Sequence, residues 1–485
     1  MYKHSPLLDA ILHHADTMPD KTAIVMNGKS VSYSSLADNI KKAAFFLQRL
    51  GLKANDQIVL SAHKHVEFIF FYFGAHVLGV TNVIVDAESN ESRLIYIENK
   101  VKPSYCFGYK STNYPSLLFE ELNFAQIEVN LPITSADLSS SNIAEILFTT
   151  GTTGNPKGVC LSYMNIFSSA TNINHYINNN EEDIELLALP ICHSFGLGRI
   201  RCTLLKGATI VILSSFANVR AFLKAIEDFH VTGFGVVPAA WAYIRKISGK
   251  RISKYADQIK YIEIGSASMP LSTKQEMLQL FPNTRICMHY GLTESSRTCF
   301  QEFHDTNHLD TIGKPVSDKV EIKIFDENGN ALPLSQKGEI CVKGNMVLSH
   351  YLDEEDNLNA FRGSYFRTGD CGFVDNEGYI HLLGREKELI NVGGKKVSPM
   401  EVEDAIISLG VGDCVCVPMK DESGVMGELV YCYVLNGSTT LSFEQISELL
   451  SQKLEVYKRP VGYEWIDEIP KTMSGKKQRI MINKK

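Results

Sequence analysis

The hydrophobic pattern of the first half of the chain alternates between amphipathic helices and short buried strands. Residues 32–51, SYSSLADNIKKAAFFLQRLG, carry apolar residues at helical spacing between a serine-rich start and a final glycine, which predicts a helix. The apolar runs QIVLSA (57–62) and TNVIVDA (81–87) are typical of buried parallel strands. The same alternation returns over residues 183–240. This pattern predicts an α/β fold in which helices cover parallel sheets.

The pattern changes twice in the second half. From about residue 310, strands with an alternating residue pattern are joined by Asn-Gly and Glu-Gly turns, which predicts an antiparallel or β-barrel-like subdomain. After Gly384 the order becomes helix, strand, strand, helix, as in a small α+β unit. We therefore predict a large N-terminal domain, 1–384, which includes the β-barrel-like subdomain, and a small mobile α+β C-terminal domain, 385–485.

Length and composition fit a soluble protein of this size. A chain of 485 residues exceeds what one hydrophobic core usually organises. Its net charge of −7, without a stripe of lysines, arginines and aromatics, argues against a nucleic-acid partner. The most apolar segment, 66–85, contains Glu67 and His76, so we expect a buried helix running into a strand and no membrane span.

Two further features bear on location. The N-terminus lacks the basic start and apolar run of a signal peptide. Eleven cysteines are scattered without a C-x-x-C pair, which is typical of reduced thiols in a cytosolic protein. We therefore expect a cytoplasmic protein.

Residues 147–159, LFTTGTTGNPKGV, are the first candidate for binding chemistry. Glycines let backbone N–H groups approach an anion, and threonine hydroxyls add donors, so this stretch favours phosphate binding. It is not a Walker loop, because that loop requires G-x-x-x-x-G-K-[ST]. No Walker A pattern occurs in the chain, which excludes a P-loop kinase or NTPase.

Four other segments offer groups that suit a nucleotide. Each has an ordinary interpretation when taken alone: a helix N-cap, a turn, a charged linker or a solvated tail. Their combination and order favour a common role. The segments are YGLTES (290–295), YFRTGD (365–370), GREKELINVGGKKVSP (384–399) and PKTMSGKKQR (470–479).

Together with FTTGTTGNPKGV, these segments resemble the motifs of the adenylate-forming superfamily, and the resemblance covers essentially the whole chain. The family includes acyl- and aryl-CoA ligases, luciferases and nonribosomal-peptide adenylation domains. The resemblance implies a two-step reaction that uses ATP and Mg²⁺. A carboxylate attacks the α-phosphate and expels pyrophosphate, and a thiol of CoA or of a carrier-protein phosphopantetheine then displaces AMP from the acyl-adenylate.

The resemblance also implies roles for particular residues. Tyr290 would stack on adenine, and Asp370 would hold the ribose hydroxyls with help from Arg385. Thr293 would contact phosphate, and Glu294, with Thr293, would hold Mg²⁺. The phosphate loop would comprise Thr149, Thr150, Gly151, Thr152, Thr153, Gly154 and Lys157, and the backbone beside adenine would be that of Gly265, Ser266, Ala267 and Gly291.

Lys476 is the residue that we predict to catalyse adenylation. The attacking carboxylate and the α-phosphate are both anionic, so a positioned ammonium between them stabilises the transition state. The resemblance places Lys387 at a hinge about which the C-terminal domain swings after adenylation. That swing would withdraw Lys476 and bring Gly393 and Gly394 to a tunnel for the thiol, where glycine lets the pantetheine arm pass close to the backbone.

The residues that surround the acid are harder to interpret. His193-Ser194-Phe195-Gly196 has the form found in acyl- and aryl-CoA ligases, so His193 is predicted to line the carboxylate site. Three arginines lie near this segment and near YGLTES. They either bind a second anionic group on the substrate or are simply solvated or interdomain residues, and the latter interpretation is favoured. These arginines are Arg199, Arg201 and Arg297.

The sequence leaves the acceptor and the substrate open. We favour CoA as the acceptor, with a carrier protein as the runner-up and a small carboxylic acid as the other substrate. A non-catalytic relative that keeps only the fold is disfavoured because Lys157, Thr293, Glu294, Asp370, Arg385 and Lys476 are all present. A relative without function would be expected to lose some of these charges, since buried charge costs stability.

Overall fold

The computed structural model describes residues 5–133, 139–149, 156–423, 426–471 and 476–482. Helices alternate with strands along the N-terminal part, as the sequence pattern predicts. The helices are α1 (Pro6–Thr17), α2 (Tyr33–Arg49), α3 (Val66–Leu78), α4 (Glu91–Val101), α5 (Tyr163–Ile177), α6 (Ser194–Leu205), α7 (Val219–Asp228), α8 (Pro238–Ser248), α9 (Leu271–Leu280), α10 (Glu354–Asn357), α11 (Pro399–Ile407), α12 (Phe443–Leu450) and α13 (Arg479–Ile482).

One seven-stranded sheet carries the strand that precedes the predicted phosphate loop. Its spatial order is β18-β8-β7-β4-β3-β5-β6, and the neighbours from β7 to β6 run parallel. β8 pairs antiparallel with both β7 and β18. The strands are β3 (Gln57–Ser61), β4 (Thr81–Val85), β5 (Tyr105–Phe107), β6 (Ser116–Leu117), β7 (Ile143–Thr149), β8 (Lys157–Ser162) and β18 (His350–Tyr351).

A nine-stranded sheet carries the segments predicted to bind adenine and acid. Its order is β15-β14-β13-β12-β11-β9-β10-β1-β2, with parallel pairing from β13 to β1 and antiparallel strands at both edges. The strands are β1 (Thr22–Met26), β2 (Lys29–Ser32), β9 (Ile184–Leu187), β10 (Thr209–Ile212), β11 (Gly233–Val236), β12 (Tyr261–Ile264), β13 (Arg285–Tyr290), β14 (Cys299–Glu302) and β15 (Lys314–Pro315).

The predicted change of pattern near residue 310 is confirmed. A five-stranded antiparallel sheet follows, with the order β16-β17-β20-β19. The fifth strand, β21, also pairs with β20. Its strands are β16 (Glu321–Phe325), β17 (Gly338–Lys343), β19 (Phe361–Arg362), β20 (Tyr365–Val374) and β21 (Ile380–Arg385).

The last hundred residues have a hydrophobic core of their own. Buried side chains of α11, α12 and the strands β24 and β25 form this core, separately from the main core of the N-terminal part. A two-stranded hairpin precedes these elements and contributes Ile390, Val392 and Val397 to the same core. The strands are β22 (Ile390–Val392), β23 (Lys395–Val397), β24 (Cys414–Lys420), β25 (Glu428–Leu435) and β26 (Gly462–Ile466).

The most apolar segment forms the buried helix α3 followed by β4, as predicted. Within the described ranges, none of the helices combines the length and the apolar character that crossing a bilayer requires. All eleven cysteines are free thiols, and all but Cys192 are buried. They therefore behave as the small hydrophobic residues that the sequence predicts.

Candidate active site

Two adjacent parallel strands bring the predicted adenine segments together. β12 and β13 pair with Ile264 opposite Met288, so Gly265 and Tyr290 emerge at the same edge of the sheet. Gly265 is required there, because a Cβ at this position would lie 2.1 Å from the ring of His289. Ser266 follows in the left-handed region with φ 75°. The sheet thus places 265–267 beside the end of β13.

Tyr290, Asp370 and Arg385 form one connected group. The phenol of Tyr290 donates to Asp370 Oδ2 at 2.5 Å, and Arg385 Nε lies 2.9 Å from Asp370 Oδ1. Asp370 and Arg385 face each other across the antiparallel pair β20–β21, which fixes their approach. Burial raises the pKa of Asp370 above its ordinary value, while Arg385 and Tyr290 oppose that shift.

A second group surrounds the phenol of Tyr351. This phenol donates to Glu294 Oε1 at 2.9 Å, and the ammonium of Lys157 lies 5.4 Å from the centre of its ring. Lys157 also pairs with Asp356 of α10 at 2.6 Å. Tyr351 therefore joins the predicted metal-binding carboxylate to the predicted phosphate lysine, two residues that come from distant motifs.

The structure places only the two ends of the predicted phosphate loop. Thr149, at the end of β7, stands opposite Lys157, at the start of β8. Thr150, Gly151, Thr152, Thr153 and Gly154 lie outside the described residues. Thr293 and Gly291 are half-buried in the turn after Tyr290, next to Glu294.

His193 lies beside Asp86 and Cys192, at the N-terminus of α6. One ligand atom from each of these three side chains falls within 4.8 Å of the others. Although His193 reaches solvent, the protein atoms around it lower its pKa; Asp86 opposes the shift, and Arg93 and Lys476 add to it. His193 is therefore neutral near pH 7.

This group does not have the chemistry of a structural zinc site. Burial and Asp86 raise the pKa of the Cys192 thiol, so the thiol keeps its proton. A structural zinc site has four protein ligands, whereas the described residues supply three here, and the cations near His193 further disfavour a metal ion. An acid substrate is a better match to two nearby cations and a neutral imidazole.

Lys476 meets these groups from the C-terminal part of the chain. Its ammonium interacts electrostatically with Asp370, Glu294 and Arg385, and it acts on His193 as well. The side chain remains accessible, yet the surrounding protein lowers its pKa; Arg385 adds to the shift, and Asp370 and Glu294 oppose it. The structure thus brings Lys476 to the predicted ribose, metal and carboxylate residues.

The predicted hinge and tunnel residues lie in a turn and a hairpin loop that follow β21. Lys387 is in the 3-10 turn Glu386–Glu388, directly after β21. Gly393 and Gly394 form the two-residue loop between β22 and β23, with φ 58° and 83°. Such a loop requires two residues with positive φ, which explains both glycines locally.

The favoured interpretation of Arg199 and Arg201 as solvated or interdomain residues is wrong. Arg199 has 0% and Arg201 2% of its surface exposed, and both lie inside the N-terminal part. Arg199 donates to Glu185 at 2.5 and 2.8 Å and to Glu263 at 3.2 Å, and Arg201 donates to Glu145 at 2.7 Å. Both guanidinium groups are therefore paired with carboxylates of the buried strands β7, β9 and β12.

Arg297 is also buried, and it too is paired with a carboxylate of a buried strand. Its Nε lies 3.1 Å from Glu263 Oε1, and its two terminal nitrogens donate to the carbonyls of Ser194 and Phe195. The guanidinium is thus engaged by the protein. The structure gives no support to a second anion site at these three arginines.

Sequence reasoning missed several residues of this site. Tyr351 has no motif around it, and Asp86 belongs to a run that predicts only a buried strand. The signal for Asp86 was its position directly after β4, since the carboxyl ends of parallel strands line up at one edge. No sequence signal identifies Tyr351, because its contact with Glu294 arises only from folding.

The fold and the site define a nucleotide-binding α/β enzyme whose C-terminal part contributes to the same site as the large N-terminal part. The chain belongs to the AMP-binding enzyme family, which it matches over residues 11–352, and the C-terminal domain of that family matches residues 401–476.

Named relatives and solved structures resemble the chain over nearly its full length. It is 28% identical to 4-coumarate–CoA ligase of Humulus lupulus, over 99% of this chain and 94% of that protein. It is 27% identical to 2-succinylbenzoate–CoA ligase of Bacillus licheniformis, over 96% and 97%. ATP-bound MatB of Rhodopseudomonas palustris has a similar fold, with a TM-score of 0.89, 24% identity and 98% of each chain covered. MenE of Bacillus subtilis in complex with its acyl-adenylate gives a TM-score of 0.87, with 23% identity over 98% and 97%.

Proposed function

We propose that the protein is an AMP-forming acid–thiol ligase that activates a small carboxylic acid with ATP and transfers the acyl group to CoA. The observation that carries this proposal is the position of Lys476. Its ammonium interacts with Asp370 and Glu294 and acts on His193, which are the residues predicted for ribose, metal and carboxylate. A cation at the meeting point of these groups suits a reaction between two anions.

The first half-reaction joins the acid to AMP. A carboxylate oxygen attacks the α-phosphorus, the bond to the bridging oxygen of the β-phosphate breaks, and pyrophosphate leaves. Lys476 stabilises the added negative charge, and neutral His193 orients the acid by hydrogen bonding. Asp370, held by Tyr290 and Arg385, accepts from the ribose hydroxyls, and the ring of Tyr290 stacks on adenine.

Glu294 fits a magnesium ion that accompanies ATP. Mg²⁺ prefers oxygen ligands and is held by one or two carboxylates together with substrate phosphates. Tyr351 engages Oε1 of Glu294, which orients the carboxylate and leaves Oε2 as a ligand, and Thr293 offers a hydroxyl next to it. When bound, the ion would neutralise charge on the phosphates. Lys157 lies over the ring of Tyr351, where it would orient the leaving pyrophosphate.

The second half-reaction transfers the acyl group. The thiol sulfur attacks the acyl carbon, the bond to the AMP oxygen breaks, AMP leaves, and the thiol proton passes to solvent. We propose a boundary between domains at 384/385 and a rotation about Lys387 that brings the Gly393-Gly394 loop to the thiol. CoA is supported as the acceptor because the named relatives are CoA ligases.

A pyrophosphate-release assay tests this proposal. Aryl, short-chain, long-chain and dicarboxylic acids are supplied with Mg·ATP, with and without CoA, and products are identified by mass. We expect acid-dependent pyrophosphate and AMP, and an acyl-CoA when CoA is present. Lys476→Ala should lower pyrophosphate release by roughly 100-fold or more, as for other charge-stabilising groups.

Lys453→Ala is the matched control. Lys453 is an exposed lysine of the same C-terminal region that donates to Ser408, away from the site, so its loss should leave the rate unchanged. Formation of ADP in place of AMP, or no acid-dependent turnover with any acid of the panel, would contradict the proposal. Acyl transfer to a phosphopantetheinylated carrier protein but not to CoA would overturn the choice of acceptor.

A further inference from the structure

Two consecutive lysines have opposite surroundings. Lys476 interacts with the residues of the candidate active site, whereas the side chain of Lys477 contacts Glu403 within the C-terminal part. The backbone of Lys477 forms an isolated antiparallel β-bridge with that of Lys471. In extended backbone of this kind, the side chains of consecutive residues point to opposite sides. The contacts that hold the Lys477 side chain in place therefore also determine the direction of the Lys476 side chain.

Lys477 is held by a buried set of charges centred on Glu403 of α11. Its ammonium lies 2.9 Å from Glu403 Oε2 and 3.0 Å from Asp413 Oδ1, and it also donates to the carbonyl of Cys414. Glu403 is 3% exposed. Burial opposes the charge of Lys477, yet the two carboxylates outweigh it and raise the pKa of Lys477 above its ordinary value.

Arg479 extends this set to the predicted hinge. One of its terminal nitrogens donates to Glu403 Oε1 at 2.8 Å and the other to Glu388 Oε2 at 2.7 Å. Glu388 adjoins Lys387 in the 3-10 turn after β21. The backbone N–H of Cys416 also donates to Glu403 Oε1, which ties the carboxylate to β24. Glu403 therefore holds the lysine segment to the core of the C-terminal part, and Arg479 connects this carboxylate to the hinge turn.

We propose that Glu403 is a positioning residue for Lys476, acting through Lys477 and, by way of Arg479, linking the lysine segment to the hinge turn. This inference rests on the proposed function, because it assigns Glu403 a role in the adenylation half-reaction. It assigns Glu403 no role in thioester formation. A displacement of about 1 Å at a reacting group costs on the order of 100-fold in rate. Thioester formation, for which Lys476 is withdrawn, does not require this alignment.

The test separates the two half-reactions. Adenylation is measured as pyrophosphate release with the acid that reacts fastest with the unaltered protein. Thioester formation is measured as acyl-CoA formed from the synthetic acyl-adenylate of that acid, added with CoA and without ATP. For Glu403→Gln we expect adenylation to fall roughly 30- to 100-fold with little change in KM for the acid, and thioester formation to stay within about twofold.

Glu401→Gln is the matched control. It makes the same substitution on the same helix, but Glu401 pairs with Lys458 at 2.6 Å, and among the described residues it forms no ion pair with Lys477 or Arg479. Both half-reactions should stay within about twofold of the unaltered protein. Arg479→Lys keeps the charge but has a single nitrogen, which cannot serve Glu403 and Glu388 together, so it should lower adenylation selectively even if Glu403→Gln fails to fold.

The outcomes are distinguishable. Equal loss in both half-reactions for Glu403→Gln and Arg479→Lys would mean a merely structural role and overturn the inference, as would unchanged adenylation in both variants. Absence of acid-dependent pyrophosphate release from the unaltered protein would instead refute the proposed function.

Discussion

The guanidinium of Arg297 joins the carboxylate of Glu263 to the first turn of α6. Its Nε lies 3.1 Å from Glu263 Oε1, while Nη1 and Nη2 donate to the carbonyls of Ser194 and Phe195 at 2.8 and 3.0 Å. Glu263 stands two residues before Gly265, and Ser194 directly follows His193. One buried cation thus fixes the acid segment relative to the adenine segment.

Replacing Arg297 by Met should damage both stability and acid binding. Breaking a buried ion pair by removing one partner costs about 3–5 kcal/mol, because it leaves an uncompensated charge and, here, two carbonyls without their donor. We expect the melting temperature to fall by about 5–10 °C. KM for the acid should rise several-fold because the turn that carries His193 loses its anchor.

Calorimetry and steady-state kinetics check this prediction. Arg220→Met, on an exposed face of α7, serves as the control and should change neither quantity. Gly198→Ala tests the same arrangement without removing a charge, since its Cβ would lie 2.5 Å from Arg297 Nη1. An unchanged KM in both Arg297→Met and Gly198→Ala would contradict the anchoring role.

Tyr290→Phe should weaken ATP binding while leaving the stacking surface in place. The substitution removes the phenol that donates to Asp370 but keeps the aromatic ring. A hydrogen bond of this kind contributes about 1 kcal/mol, so KM for ATP should rise about fivefold with little change in kcat. The rise should be smaller with 2′-deoxy-ATP, which lacks one of the hydroxyls assigned to Asp370. An equal rise for both nucleotides would mean that the phenol acts on the base or the phosphates.

The sequence predicts most of the fold because local pattern and tertiary environment agree in it. In α2 the apolar spacing, the Ser32 cap and the final glycine all indicate the same helix, and the structure has it at Tyr33–Arg49. The two short apolar runs become β3 and β4, paired in parallel. The change to an antiparallel sheet near residue 310 was visible because its turns contain Asn-Gly and Glu-Gly.

The burial of the arginines of α6 could not be deduced from α6 alone. Their environment is set by single glutamates within otherwise apolar strands: Glu145 in β7, Glu185 in β9 and Glu263 in β12, each 0% exposed. A lone carboxylate in a buried strand requires a buried cation, and that was the available signal. Which arginine meets which glutamate depends on the strand order, which the sequence does not reveal.

The pair between Lys157 and Asp356 should compete with ATP. Its atoms lie 2.6 Å apart and both side chains are partly exposed, so the pair contributes about 1 kcal/mol or less. Because Lys157 is assigned to the leaving phosphates, Asp356→Asn should free its ammonium and lower KM for ATP about two- to fivefold. Titration with ATP and a nonhydrolysable analogue measures this effect. Asp353→Asn, which breaks the neighbouring pair with Lys100, is the control, and a higher KM in Asp356→Asn would refute the competition.

Lys274 of α9 should make the stability of the protein depend on pH above neutrality. Its side chain is 6% exposed and donates to the carbonyl of Leu309. Burial lowers the pKa of Lys274 from 10.5 to about 8, and Asp310 and Asp404 only partly oppose it. The charged form is therefore disfavoured in the folded state relative to the unfolded state, at a cost of about 3 kcal/mol below pH 8.

The sign of this effect follows from the two pKa values. Below pH 8 the lysine is protonated in both states, so the fold bears the full cost; between pH 8 and 10.5 only the unfolded state keeps the proton, and the cost disappears as pH rises. Lys274→Met should accordingly raise the free energy of unfolding at pH 7 by roughly 2 kcal/mol, after the loss of one hydrogen bond. Its advantage should shrink steadily from pH 8 to pH 10. Denaturant unfolding at several pH values measures the difference, with the exposed Lys246→Met as the pH-independent control. An advantage that is constant across this range would mean that Lys274 acts through packing and not through its charge.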